Sequence, residues 1–204
     1  MRPVTKEEMR LIQEIDRLWV PVYPYLARHI SEVHGRKAGR VLEIGPFCGV
    51  IYSLMEQERG STFFMGGFPQ GMGRFLYEEG RQTGFCDGIN IVETDPSLTA
   101  IKDRSIDLLI FRGALFFPSL FRVDYDGVWR VLNGGGTAMI GGGFGRYTPS
   151  DVIRAIGDRS KELNLRIGKV DTTIEEVRRD VAAANLKANV DIISKGGLWV
   201  IMKR

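Results

Sequence analysis

The chain has only two cysteines, Cys48 and Cys86, and only two histidines, His29 and His34. Two cysteines with no C-x-x-C pair cannot build a disulfide framework. Two histidines in one N-terminal segment, with no close carboxylate pair, argue against a zinc site. Each thiol reads as a small packing residue, since no histidine is tied to it by spacing. His29 reads as a helix-surface residue or as a general base facing a pocket. Excess charge is scarce too: 28 lysines and arginines against 25 acids leave +3, far from the strongly basic face of a nucleic-acid binder. The basic residues at 159–169 and at Arg178-Arg179 are interleaved with acids and read as solvated helix faces. No long apolar run is present. The greasiest stretch, residues 106–121, holds Asp107, Arg112 and Pro118 and is too short and too charged to span a bilayer. The start of the chain, with Lys6, Glu7, Glu8 and Arg10, lacks a signal peptide's apolar core. A cytoplasmic protein with no membrane attachment is the expectation.

What the chain does have is Val41-Leu42-Glu43-Ile44-Gly45-Pro46-Phe47-Cys48-Gly49. A short apolar run ends in an acid, and a glycine-bearing turn leads into a helical pattern over residues 50–58. In open α/β folds a strand, a glycine turn and a helix N-terminus bring backbone N–H groups up to a ligand. A carboxylate such as Glu43 suits hydroxyls or an ammonium better than a phosphate.

Around this turn the pattern is regular. Thr5-x-x-Glu8 reads as a capping box opening a helix along Met9, Ile12, Ile15 and Leu18, interrupted by Pro21 and Pro24. A second helix is expected over residues 26–33. Strands are expected at 40–44, 61–65, 89–93, 106–111 and 137–140. Helices are expected at 50–58 (with Gly60 as C-cap), 69–79 (ended by Gly80) and 120–132. Thr148-Pro149-Ser150-Asp151 opens a helix to about 163 with proline in its first turn, and Thr172-x-x-Glu175 caps another to about 186. Residues 190–194 and 198–202 form a hairpin. Strand–helix repeats followed by a hairpin predict an α/β protein with helices on both faces of the sheet.

This order, with its loop chemistry, resembles the class I S-adenosylmethionine-dependent methyltransferases over residues 38–204. Four motifs carry the resemblance: Val41-Leu42-Glu43-Ile44-Gly45; Asp95 after the third strand; Ser105-Ile106-Asp107-Leu108-Leu109-Ile110-Phe111-Arg112-Gly113-Ala114; and Trp129-Arg130-Val131-Leu132-Asn133-Gly134-Gly135-Gly136 before the fifth strand. The resemblance implies a Rossmann-like, doubly wound, mostly parallel sheet with an antiparallel last strand, and S-adenosylmethionine as cofactor. Residues 1–36 would be a helical lid and 37–204 the α/β domain. Gly45 and Gly49 would let the backbone pass close to the methionine moiety, and Glu43 would act mainly by holding that loop. Asp95 would accept from the adenine amine while Leu98 covers the ring. Carbonyls around Phe111 and Arg112 would receive the cofactor ammonium, and the segment Tyr23-Pro24-Tyr25 would fold over it, with Tyr25 in contact.

Two departures stand out. Phe47 replaces the middle glycine of the family's loop, so the loop must route differently or turn the ring outward. No carboxylate lies between Gly60 and Glu78, where the family keeps its ribose acid. Ribose recognition would therefore fall to the backbone at Gly67, to Gln70 or to an acid from elsewhere, at a cost on the order of 1–3 kcal/mol. Asp95 could equally cap its own turn, and Arg112 could bind a substrate anion or pair with an acid. The run 141–147 could bring Arg146 and Tyr147 to substrate or serve as a connection. In-line methyl transfer needs a base only when the acceptor must lose its proton early, so no catalytic residue is assigned. Phe111-Arg112-Gly113-Ala114 stands where base-amino methylation would show an Asn/Asp-Pro-Pro-Tyr/Phe signature. Without a recognition domain or basic face, a small-molecule acceptor is expected, with oligomeric state open. The rival is a non-catalytic cofactor-binding or scaffold protein. A nicotinamide oxidoreductase does not fit the glycine spacing.

Overall fold

The structure, a computed structural model, describes residues 3–84, 88–186 and 189–204. Its elements are α1 (Lys6–Trp19), a 3₁₀ turn (Val20–Val22), α2 (Tyr23–His34), β1 (Arg40–Ile44), α3 (Val50–Glu56), β2 (Thr62–Gly67), α4 (Met72–Thr83), β3 (Ile89–Glu93), β4 (Ile106–Arg112), α5 (Tyr125–Val131), β5 (Leu132–Gly142), α6 (Ser150–Arg166), α7 (Ile174–Ala183), β6 (Asn189–Ile193) and β7 (Leu198–Lys203). The seven strands form one sheet in the order β3-β2-β1-β4-β5-β7-β6. β7 runs antiparallel to both neighbours, and every other pairing is parallel.

Both faces of the central strands are buried, as their near-continuous apolar sequence requires. Alternation along the strands divides the core. Val41, Leu108, Ile110 and Met139 cluster with Leu26, Ile30, Ile51 and Leu54 from α2 and α3. Leu42, Ile44, Leu109 and Ile140 cluster with Ile12, Val128 and Leu163 from α1, α5 and α6. No helix among the described residues is long and apolar enough to cross a membrane.

Several expected boundaries move, each for a local reason. Pro21 lies in the 3₁₀ turn and Pro24 in the first turn of α2, so the second proline opens a helix. Helix α3 stops at Glu56, with Gln57 as C-cap and Glu58 left-handed. Gly60 is instead a close approach, because a Cβ there would lie 2.7 Å from Val41 Cγ2. Helix α4 runs through Gly80 and ends on left-handed Gly84. Pro149 is the N-cap of α6, outside its first turn. The second capping box is Thr173 with Glu176, one residue later than expected. In Thr172-Thr173-Ile174-Glu175-Glu176 both frames satisfy the pattern. Thr172 is withdrawn because its hydroxyl donates to the Leu115 carbonyl at 2.8 Å.

Arg130, from the fourth motif, is a strut. Its guanidinium donates to the carbonyls of Leu98 at 2.7 Å, Ile101 at 3.0 Å and Ser97 at 3.1 Å, tying the loop after β3 to α5. Arg130→Lys keeps the charge but loses the fork that reaches three carbonyls. It should cost about 1–3 kcal/mol in urea denaturation; a change below about 0.5 kcal/mol would show the strut to be dispensable.

Candidate functional site

The strand order reverses between β1 and β4, which is where open α/β sheets leave a crevice. β1 delivers Glu43 to this point with its side chain fully buried. One carboxyl oxygen accepts from the backbone N–H groups of Gly49 and Ile51, each at 3.0 Å. Glu43 thus caps α3, whose first-turn donors have no helical partner of their own. Its other oxygen has no hydrogen-bond partner among the described residues. Burial pushes the carboxyl up to about 7, against the opposing pull of Arg112 and of the N–H groups of Ile51, Gly49 and Val50.

The glycines admit parts of this chain. Gly45 is left-handed at φ 96, and its N–H donates to the Gly66 carbonyl at 3.0 Å. A Cβ on Gly45 would lie 2.9 Å from the Phe111 ring, one on Gly49 2.5 Å from the Tyr23 ring, and one on Gly113 2.7 Å from the Phe47 ring. A Cβ on Gly67 would overlap the Gly73 backbone at the start of α4. Phe47 keeps a negative φ and turns its buried ring toward β4, where it packs on Phe117 at 4.6 Å between centroids. Phe68, Phe111 and Phe121 form a triangle of rings, 5.1–6.0 Å between centroids. Phe68 directly follows β2, and the Phe111 ring lies against Gly45 just past the end of β1.

On the turn after β3, Asp95 accepts from the Thr99 hydroxyl at 2.7 Å and the Thr99 N–H at 3.2 Å. The Thr99 hydroxyl, with the backbone N–H groups of the turn, holds this carboxyl below its usual range. Leu98 is fully buried at a positive φ of 58. Gln70 is exposed. In the sheet Phe111 is in register with Ile140, and Arg112 with Gly141.

Over the crevice lie Asp16, Trp19 and Tyr23. The Tyr23 hydroxyl donates to the Asp16 carboxylate at 3.1 Å, and Asp16 Oδ1 lies 3.7 Å from Arg112 Nη2. The Arg112 guanidinium stands over the Tyr23 ring at 4.6 Å and the Trp19 ring at 5.3 Å. Burial pushes Asp16 up to about 8, although Arg112 pulls it down. The sequence signal for Asp16 and Trp19 is the spacing i, i+3 at the end of α1, which places an acid beside an apolar residue on one helix face, while Tyr23 joins them from the start of α2. The sequence reading reached Tyr23 and Tyr25 but not Asp16 or Trp19. Tyr25 is half-buried, about 200° around the helix from Tyr23.

Two cavities meet this cluster. The smaller, about 240 Å³, is lined by Asp16, Tyr23, Cys48, Gly49 and residues of α3 and α4. The larger, about 400 Å³, opens at the ends of β4 and β5 beneath α1 and α6 and includes Arg112 and Phe47. Tyr25 lines neither.

The remaining candidates lie elsewhere. Cys48 is buried, with its thiol against the Gly45 carbonyl at 3.2 Å, and burial pushes that thiol well up. Cys86 lies outside the described residues. His29 is fully buried, not on a surface, and burial pushes its pKa down. His34 Nδ1 meets the Thr137 hydroxyl at 3.1 Å. Arg146 and Tyr147 are tied to Glu32 of α2, and Tyr147 lies under Arg28. Among the described residues no group of three or more His, Cys, Asp or Glu side chains could hold a metal ion.

No protein-family model and no curated protein matches the sequence. Solved structures do match in fold. A protein from Methanococcus maripaludis assigned as an S-adenosyl-L-methionine-dependent methyltransferase is 24% identical and aligns over 100% of this chain and 97% of its own, with a TM-score of 0.77. An Aquifex aeolicus SAM-dependent methyltransferase is 12% identical over 94% and 96%, with a TM-score of 0.58. A Nostoc punctiforme protein assigned as an O-methyltransferase is 11% identical over 97% of this chain but 60% of its own, with a TM-score of 0.61.

Proposed function

We propose that this chain, whose fold is that of the class I S-adenosylmethionine-dependent methyltransferases, is itself such an enzyme and methylates a small molecule. The observation that carries this reading is the cluster of Asp16, Trp19, Tyr23 and Arg112, which lends Asp16 and Tyr23 to a cavity beside the Gly49 turn and Trp19 and Arg112 to an aromatic chamber at the ends of β4 and β5.

The amino-acid end of the cofactor fits the chemistry of the smaller cavity. Asp16 lines it with oxygens that can accept from an ammonium, Gly49 lets the Tyr23 ring close against the turn, and Glu43 holds the turn in shape. The carbonyls of Phe111 and Arg112, the backbone around Gly45 and Phe47, and Tyr25 complete the proposed set. Beside Gly45 the rings of Phe68, Phe111 and Phe121 pack on one another, on the side where the adenosine end is proposed to lie. The proposed partners of that end are Asp95, Leu98 and the backbone at Gly67. When bound, the cofactor supplies a methyl group made electrophilic by a sulfonium. This chain's part is positioning and the exclusion of water, with residues 1–36 as lid over the α/β domain of residues 37–204.

Calorimetry with S-adenosylmethionine, S-adenosylhomocysteine and nicotinamide nucleotides tests the reading. The two sulfur nucleotides should bind with Kd below about 1 mM and the others not. Failure of both sulfur nucleotides would overturn it. The lack of a carboxylate between Gly60 and Glu78, with Phe47 in the glycine turn, favours a second reading, a protein that keeps the fold without catalysis. Transfer of a labelled methyl group from S-adenosylmethionine to any component of a metabolite extract would remove that alternative. If the rings are a gate, Phe68→Leu should tighten S-adenosylhomocysteine about tenfold by raising the open fraction; unchanged or weaker binding would show that they are not.

A further inference from the structure

The larger cavity is built from two kinds of surface. Its walls are the rings of Trp19, Phe47, Phe116, Phe117 and Phe144. Trp19 and Phe144 stack on one another at 4.8 Å with 2° between their planes, and both line the cavity. Aromatic rings favour another planar ring, offset or edge-on. The second surface is cationic: the charged lining residues are Arg112, Lys161, Lys169 and Asp171, three positive against one negative. The Lys169 ammonium stands over the Phe116 ring at 5.3 Å.

Arg112 is the unusual member. It is 5% exposed, and its Nη1 has no hydrogen-bond partner among the described residues. Its neighbour Asp16 stands 3.7 Å from the other terminal nitrogen, beyond a good hydrogen bond. Burial pushes Asp16 up to about 8, so part of that carboxyl keeps its proton near neutral pH; the Tyr23 hydroxyl and the Glu43 carboxyl are the other groups that face the guanidinium. A desolvated charge with a buried, unmet donor is costly unless something meets it, and Arg112 lies on the boundary of a ring-lined chamber.

We infer that this chamber takes a planar aromatic acid, its ring against the rings of Trp19 and Phe144 and its anionic oxygen on Arg112. The assignment of that acid as the methyl acceptor rests on the function proposed above; its binding does not. Arg112 then selects and orients the anion, while Lys161 and Lys169 raise its local concentration at the rim.

The test is titration of the full chain, without cofactor, by calorimetry and tryptophan fluorescence, using 2-naphthoate and its neutral isostere 2-naphthamide. The acid should bind with Kd below about 1 mM and about tenfold more tightly than the amide. Arg112→Met should abolish that preference while leaving amide binding in place, which also reports an intact chamber. Should that variant not fold, Lys169→Gln at the rim should reduce acid binding about two- to threefold and leave the amide unchanged. Equal affinity for acid and amide, no binding of either below about 10 mM, or a preference that survives Arg112→Met would each overturn the assignment. Since no sulfur nucleotide is present, these outcomes leave the methyltransferase reading standing; conversely, failure of the nucleotides to bind leaves the naphthoate result standing.

Discussion

Gly141→Ala is expected to destabilise the protein by more than about 4 kcal/mol, a large share of what holds a typical domain folded. Gly141 sits in β5 at φ 144, in register with Trp199 of β7. A Cβ there would overlap the Leu198 carbonyl oxygen and lie 3.0 Å from the Trp199 Cα. Both obstacles are backbone, and Trp199 is fully buried, so neither strand can yield without opening the β5–β7 ladder. Gly134→Ala is the matched control: its φ is not in the left-handed region, and its Cβ would meet nothing within 4 Å. That change should stay within about 0.5 kcal/mol. Urea denaturation of the two variants decides. A loss below about 1 kcal/mol at Gly141 would mean that β7 is not held as closely as described.

Glu43→Gln is expected to change how stability depends on pH. In the folded protein the Glu43 carboxyl is raised from 4.5 to about 7, so the folded state holds a proton that the unfolded chain releases. That contribution is fully present below about 4.5 and is lost as pH rises through about 7. One proton corresponds to about 1.4 kcal/mol per pH unit, or about 3 kcal/mol across this window. Asp16, raised to about 8, adds a decline of the same sign in both proteins. Glutamine can still accept from Gly49 and Ile51, yet it does not titrate. Between pH 5 and 8 the variant should therefore lose about 2–3 kcal/mol less than the wild type in parallel urea titrations. Equal slopes would show that Glu43 is ionised in the folded protein throughout.

These predictions show how much of the molecule was legible in sequence. The glycine turn after β1, the alternation of apolar strands and amphipathic helices, and the closing hairpin are local patterns, so fold class and strand count followed from them. The first capping box was equally local: Glu8 N–H donates to the Thr5 hydroxyl at 3.2 Å. The second went one residue astray because two adjacent threonines fit the pattern, and only the Leu115 carbonyl, 57 residues away in sequence, chose between them.

The glycines mark the limit most clearly. Residues 141–147 could be read as a connection or, through Arg146 and Tyr147, as a substrate-contacting loop. In the structure residues 141–145 lie against the hairpin turn, with the Gly145 N–H donating to the Gly196 carbonyl at 2.7 Å and Gly143 close to Gly197. What a glycine must admit depends on which distant backbone arrives beside it. The same holds at Gly45 and Gly49, where the arriving groups are Phe111 and Tyr23.

The sequence by itself determined the α/β class, the order of its elements and the position of the acid–glycine turn, because those follow from periodicity and neighbouring residues. The tertiary structure alone decided that Glu43 caps a helix, that Asp16 and Tyr23 close on Arg112, and that the rings of Phe68, Phe111 and Phe121 pack together beside Gly45. Burial and pairing between residues far apart in the chain set those outcomes, and the same burial moves the Glu43 and Asp16 carboxyls toward neutrality.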